Sequence, residues 1–220
     1  MAGFLVDGDQ QAPATVLLAH GAGAPMDSTW MDAVAKALAA ARLRVIRFQF
    51  AYMAARRAGV RKPPPRAELL VPEYRAAVGA EAPLIIGGKS MGGRVVSMVA
   101  DELYAAGKTS GLLCLGYPFH PLGKPAQPRT GHLVDLKAPS LICQGTRDPL
   151  GTREEVLSYE LSERIEILWF EDGDHDLKPR KTVSGIERPR HISDDLMEER
   201  RANPARKPGC DQKAPRQKLD

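Results

Sequence analysis

The chain has 220 residues, 43% hydrophobic and 26% charged, with a formal net charge of +4 at pH 7. That length suits one sizeable core rather than two, and the composition is that of an ordinary soluble domain. No apolar run approaches the roughly 20 residues that cross a bilayer, and with only 5% aromatics the basic stretches lack the stacking platforms that nucleic-acid binding uses.

The N-terminus, Met1 to Asp7, has no basic head and no long apolar stretch, so no signal peptide is expected. The three cysteines, Cys114, Cys143 and Cys210, share no metal or redox spacing, which points to a reducing, cytoplasmic setting. Thr15 to Ala19 is a continuous apolar run, as expected of a strand covered on both faces. It runs into the turn His20-Gly21-Ala22-Gly23. Asp27 or Ser28 can cap a helix from about Thr29 to Ala41, with Trp30, Val34, Ala37 and Leu38 on one face. Val45 to Phe48 is the next strand, at the spacing of a parallel crossover. Tyr52 to Arg66 is basic and ends in Pro63-Pro64-Pro65, which predicts an irregular loop. A helix from about Ala67 to Ala80 follows.

Leu84-Ile85-Ile86-Gly87-Gly88-Lys89-Ser90-Met91-Gly92-Gly93 is the stretch around which the rest is arranged. An apolar strand ends abruptly in glycines around a serine, and a helix-compatible segment, Arg94 to Ala106, follows. Gly88 to Gly92 fits G-x-S-x-G, the nucleophile elbow, in which a tight strand-to-helix turn lifts the serine Oγ clear of the sheet. Residues two before and two after the serine must then be small, or their β-carbons collide. Gly88-Lys89-Ser90 also matches the end of a phosphate-binding loop, but that motif needs a glycine where this chain has Pro83.

Gly111 to Gly116 and Ser140 to Gln144 are further strands. Tyr117 to Pro139, with four prolines between Pro118 and Pro128, connects them and is too small for a helical cap. Thr152 to Leu161 reads as a helix and Ile165 to Phe170 as the last strand. Strands and helices alternate, giving a mostly parallel, doubly wound α/β sheet with helices on both faces. Ligands of such sheets bind beyond the carboxyl ends of the strands. Ser90, Asp148 and His175 each follow a predicted strand and so fall on that rim.

The order serine, acid, histidine is that of the α/β-hydrolases. The chain resembles that superfamily through His20-Gly21-Ala22-Gly23, Phe50-Ala51-Tyr52-Met53, Pro63-Pro64-Pro65-Arg66, Gly88 to Gly93, Gly145-Thr146-Arg147-Asp148 and Gly173-Asp174-His175-Asp176-Leu177. Within it, the chain looks like the small uncapped, dienelactone-hydrolase-like branch, and most like the group holding an NSL-complex subunit and its testis-expressed relative. The resemblance implies an α/β-hydrolase domain over residues 1–186 and a serine hydrolase of carboxylic esters or thioesters, without cofactor. Ser90 would be the nucleophile, His175 the base and Asp148 its orienter, with the backbone N–H groups of Ala22 and Met91 as oxyanion donors. The alternative is a non-catalytic protein-interaction module on the same fold.

Further residues carry weaker expectations. Arg57, Arg61 and Arg66 are candidates for an anion-attracting rim, set against an ordinary solvated loop. His20 is read as bracing its turn, with a place on the rim as the alternative. His120 and His132 lack acidic neighbours in sequence and are expected at the surface or rim. Asp172, Asp174 and Asp176 suggest a calcium loop, but its sixth and twelfth positions hold Leu177 and Val183, so no metal is expected. Asp174 and Asp176 flank His175 too closely to orient it well. Residues 187–220 are basic, proline-containing and poor in apolar periodicity, so a final amphipathic helix is missing and a disordered tail is expected. Such a tail leaves the sheet for a protein partner to cover. No nucleic-acid or membrane partner is expected.

Overall fold

A computed structural model describes residues 3–60, 62–79 and 84–180. The expected tail at 187–220 and Cys210 lie outside the described residues, as does Arg61. Seven strands form one sheet: β1 (Phe4–Asp7), β2 (Thr15–Ala19), β3 (Arg44–Phe48), β4 (Leu84–Lys89), β5 (Gly111–Leu115), β6 (Ser140–Gly145) and β7 (Ile165–Phe170). Their spatial order is β1-β3-β2-β4-β5-β6-β7, all parallel except β1, which runs antiparallel along β3. The chain winds outward from β2 through β3, then returns to the other side of β2 with β4. The order therefore reverses between β2 and β4, where such sheets open a crevice for ligand.

The helices are α1 (Thr29–Ala40), α2 (Ala51–Arg57), α3 (Ala67–Ala77), α4 (Met91–Ser97), α5 (Ala100–Ala105) and α6 (Arg153–Leu157). The main core lies between one face of the sheet and α3 to α6. Leu17, Ile86, Cys114 and Ile142 meet Leu70, Tyr74, Val95, Val99 and Leu103 there. Tyr74 ties three elements together: its buried hydroxyl donates to the Leu17 carbonyl (2.8 Å) and accepts from the Gly87 N–H (3.3 Å). On the opposite face, α1 buries Met31, Val34, Ala35 and Leu38. Arg47 joins the layers there, pairing with Asp7 of β1 (2.9 Å) and with Asp32 of α1. Among the described residues no insertion forms a cap: residues 117–139 hold a single 3-10 turn, Gly131–Leu133.

Four local expectations are corrected. The segment read as an irregular loop begins with α2, whose first N–H is capped by Glu73 Oε2 of α3 at 2.8 Å. The helix expected as one piece from Arg94 to Ala106 starts at Met91 and breaks after Ser97, whose Oγ donates back to the Arg94 carbonyl (2.8 Å), a contact that bends helices. α6 is half the expected length; Thr152 and Glu155 close a capping box at its start, but Ser158 ends it. Trp30 is not on the core face of α1; its indole N–H reaches the Asp176 carbonyl at 2.9 Å. β1 was not foreseen, because its four residues become a strand only against Arg44–Phe48.

Removing the Tyr74 hydroxyl tests how the layers are held. Tyr74→Phe keeps the ring in place and should lower stability by about 1–2 kcal/mol, read as a lower urea midpoint at unchanged slope.

Candidate active site

The site is built at the end of β4. Ser90 adopts φ 51° and ψ −118°, a conformation that ordinary side-chain-bearing residues avoid. It is held there because its N–H donates to the Leu115 carbonyl of β5 (3.0 Å) while its own carbonyl accepts from Arg94 (3.0 Å). A β-carbon on Gly88 would overlap the Gly92–Gly93 peptide, and one on Gly92 would lie 2.5 Å from the His20 carbonyl oxygen. The small residues are required by direct backbone approach.

Two loops bring partners to the serine. His175, on the loop after β7, places Nε2 2.8 Å from Ser90 Oγ and Nδ1 2.8 Å from Asp148 Oδ2. An ionised carboxylate can only accept, so Nδ1 carries the ring proton and Nε2 is free to accept from the serine hydroxyl. Asp148 follows β6 and is fully buried. Its charge is met by three donors: His175, the Leu150 N–H on Oδ1 (2.9 Å) and Gln144 Nε2 on Oδ2 (2.9 Å). Gln144 is itself locked, its Oε1 accepting from the Tyr117 N–H at 2.8 Å. The sequence reading missed Gln144; its one signal is a large polar residue that follows the apolar run Leu141-Ile142-Cys143.

The turn after β2 lies beside the elbow, with an added β-carbon on Gly21 falling 3.6 Å from Ser90 Cβ. His20 is fully buried under this turn rather than on the rim, which supports the bracing reading. Its Nδ1 donates to the Gly21 carbonyl (2.7 Å), and its Nε2 accepts from the Phe50 N–H (3.2 Å). The Tyr52 hydroxyl lies 3.3 Å from the same carbonyl and 3.2 Å from that of Ala22. The Gly21 carbonyl shares a planar trans peptide with the Ala22 N–H. Donors gathered on that oxygen therefore fix the direction of this N–H. Tyr52 was not singled out from sequence as part of a site. Burial pushes its phenol up to about 12, so it remains a donor. Met91 opens α4, and its N–H is one of the donors that a helix start leaves without an intrahelical partner.

The other candidates separate. Arg57 is exposed and paired with Asp27, and Arg66 is an exposed residue at the start of α3. His120 is buried against Glu155 (3.2 Å), in α6, rather than at the surface; the acid absent from its sequence neighbourhood is supplied by the fold. His132 is exposed, with Nε2 2.8 Å from Ser97 Oγ. Asp174 accepts from the N–H groups of Asp176 (2.8 Å) and Lys178 (3.0 Å), shaping the histidine loop. Among the described residues, no group of three or more His, Cys, Asp or Glu is arranged to hold a metal ion, and no helix is long and apolar enough to cross a membrane.

The family described as "Alpha/beta hydrolase domain" matches residues 12–202. Solved structures share the fold at low identity. An alpha-beta serine hydrolase homologue from Coxiella burnetii is 19% identical, with a TM-score of 0.62 over 91% of this chain and 89% of that one. A dienelactone hydrolase from Anabaena variabilis is 19% identical, with a TM-score of 0.63 over 81% and 84%. A serine hydrolase without lid from Xanthomonas campestris is 19% identical, with a TM-score of 0.55 over 80% and 81%. No curated protein matches the chain.

His20 gives the site a pH signature in stability. Burial, opposed by the Gly21 hydrogen bond and reinforced by Arg57, lowers its pKa below the ordinary 6.5. The unfolded chain therefore takes up a proton that the fold excludes. This contribution is fully present above 6.5 and is lost as pH falls toward the lowered value. Urea midpoints should drop between about pH 7.5 and about pH 5, and drop less steeply in His20→Asn. Equal slopes would mean that the folded ring accepts the proton freely.

Proposed function

Because the chain belongs to the alpha/beta hydrolase domain family, we propose that it is a serine hydrolase of carboxylic esters or thioesters, working through an acyl-enzyme. The observation that carries this reading is the unbroken series from Ser90 Oγ to His175 Nε2 and from His175 Nδ1 to Asp148 Oδ2, each step 2.8 Å long. A serine hydroxyl is too weak an acid to attack an ester unaided. With His175 accepting its proton, Oγ attacks the acyl carbon, and Asp148 stabilises the imidazolium that forms. The N–H groups of Ala22 and Met91 receive the developing oxyanion. The imidazolium then protonates the departing alcohol or thiol, and a water activated by His175 releases the acid and restores Ser90. Every proton taken by His175 is returned within the cycle, so no cofactor is needed.

The substrate class and the compartment extend the same proposal. A rim without a cap leaves Ser90 open to an ester or thioester, and the motifs resemble those of the group holding an NSL-complex subunit and its testis-expressed relative. Cys114 and Cys143 are buried and not joined in a disulfide, which suits a reducing cytoplasm.

A fluorophosphonate probe, with the modified residue located by mass spectrometry, tests the assignment. Labelling is expected at Ser90 and should vanish in Ser90→Ala, which is expected to unfold at nearly the same temperature because the hydroxyl stands outside the core. Asp148→Asn should lower kcat by about 10³-fold or more through the wrong histidine tautomer. A chain that is folded yet neither labels nor hydrolyses p-nitrophenyl acetate would instead be a binding module on this fold.

A further inference from the structure

Lys89, immediately before the nucleophile, is buried to 7% exposure at the carboxyl end of β4. Its Nζ donates to the main-chain carbonyl of His175 and lies 3.4 Å from Asp176 Oδ1. The ammonium also sits over the Trp30 ring, 5.1 Å from its centroid. Gly116 makes room for it: a β-carbon there would stand 2.9 Å from Nζ and 3.4 Å from His175 Nδ1. Trp30 completes the arrangement from α1, donating to the carbonyl of Asp176. Two successive carbonyls of the histidine loop are thus held by side chains from two different elements.

Such a placement is unfavourable for stability. Burial lowers the Lys89 pKa, and the carboxylates of Asp176, Asp148 and Asp174 only partly restore it. A whole buried ion pair can often be replaced by apolar side chains of similar volume with no loss of stability. The gain from keeping it has to be sought elsewhere, and the geometry shows where. His175 belongs to a loop, with left-handed residues on either side at Asp172 (φ 55°) and Leu177 (φ 61°), so no strand ladder fixes its backbone. Its hydrogen bond to Ser90 is useful only near its 2.8 Å length.

We propose that Lys89 is a positioning residue for the hydrolysis proposed above: its ammonium, steadied by Trp30 and Asp176, holds the His175 main chain at the distance from which the ring reaches Ser90. The inference rests on that functional reading for its kinetic consequence. The placement of the ring is a separate, directly measurable property. Lys89 does not touch the reacting atoms and carries no proton in the cycle. It acts through the backbone of the base, and because it precedes the serine it fixes base and nucleophile to one strand end.

The test compares the full chain with Lys89→Met, Lys89→Arg and Trp30→Phe. Lys89→Met should remain folded, with a urea midpoint only modestly below that of the parent for the lost donor to the His175 carbonyl. With p-nitrophenyl acetate its kcat should fall about 10- to 100-fold at nearly constant KM, the scale expected when a reacting group is misplaced by about 1 Å. Lys89→Arg, which keeps a charged donor, should recover part of that loss, and Trp30→Phe should lose activity in the same direction by less. The low-field proton resonance of His175 Nδ1–H, bound to Asp148, should be sharp in the parent and broadened or absent in Lys89→Met. A Lys89→Met chain with parental kcat and a parental resonance overturns the proposal. So does a loss of activity that only tracks a loss of folded protein. If the parent neither labels nor turns over ester, it is the hydrolase reading that fails, and the resonance still decides whether Lys89 positions the ring.

Discussion

The structure depends on one steric fact: at Ser90 a strand turns into a helix with no room for a side chain two residues to either side. Gly88 and Gly92 stand where any β-carbon would meet backbone, and Ser90 takes up a positive φ between them. Strain of this kind costs about 1–3 kcal/mol and persists only where the surroundings impose it. Here the surroundings are the Leu115 carbonyl on one side and the buried Val95, Val96 and Val99 behind it. The core is what keeps the serine lifted out of the core.

From that fixed point the remaining geometry follows the parallel sheet. Every strand from β2 to β7 delivers its carboxyl end to the same rim, so residues far apart in the chain converge without any long-range design of the loops themselves. Asp148 and His175 leave neighbouring strands β6 and β7, while the turn bearing Ala22 leaves β2, on the other side of β4. Ser90 therefore sits between the histidine loop on one side and the turn bearing Ala22 on the other. Burial then sets the electrostatics. Asp148 is removed from water but surrounded by donors, which keeps its charge available to the imidazole. His20 is removed from water with one donor and one acceptor contact, which favours its neutral form.

Much of this was readable from residue types because the constraints involved are local. Strands covered on both faces are apolar along their length, and β2, β4 and β5 appear in the sequence as such runs. The elbow was readable because its requirement for small residues acts within five positions. What escaped has a common cause. α2 depends on a cap from Glu73, β1 depends on a partner strand and on Arg47, and the break after Ser97 depends on a rotamer choice that composition does not specify. Arg57 carries its charge into an ion pair with Asp27, a partner far along the chain.

The sequence by itself determined the alternation of strands and helices, the backbone conformation at Ser90 and the identities of Asp148 and His175 at the ends of their strands. Those features are set by side-chain volume and by periodicity, which act over a few residues. Only the tertiary structure decided which polar side chains would serve the site. Gln144 steadies Asp148, Tyr52 steadies the Gly21 carbonyl, and Lys89 with Trp30 secures the histidine loop. In the sequence each of these is an unremarkable polar or aromatic residue. Its role exists because packing excludes water around it, and a buried donor must then find its acceptor wherever the fold has placed one.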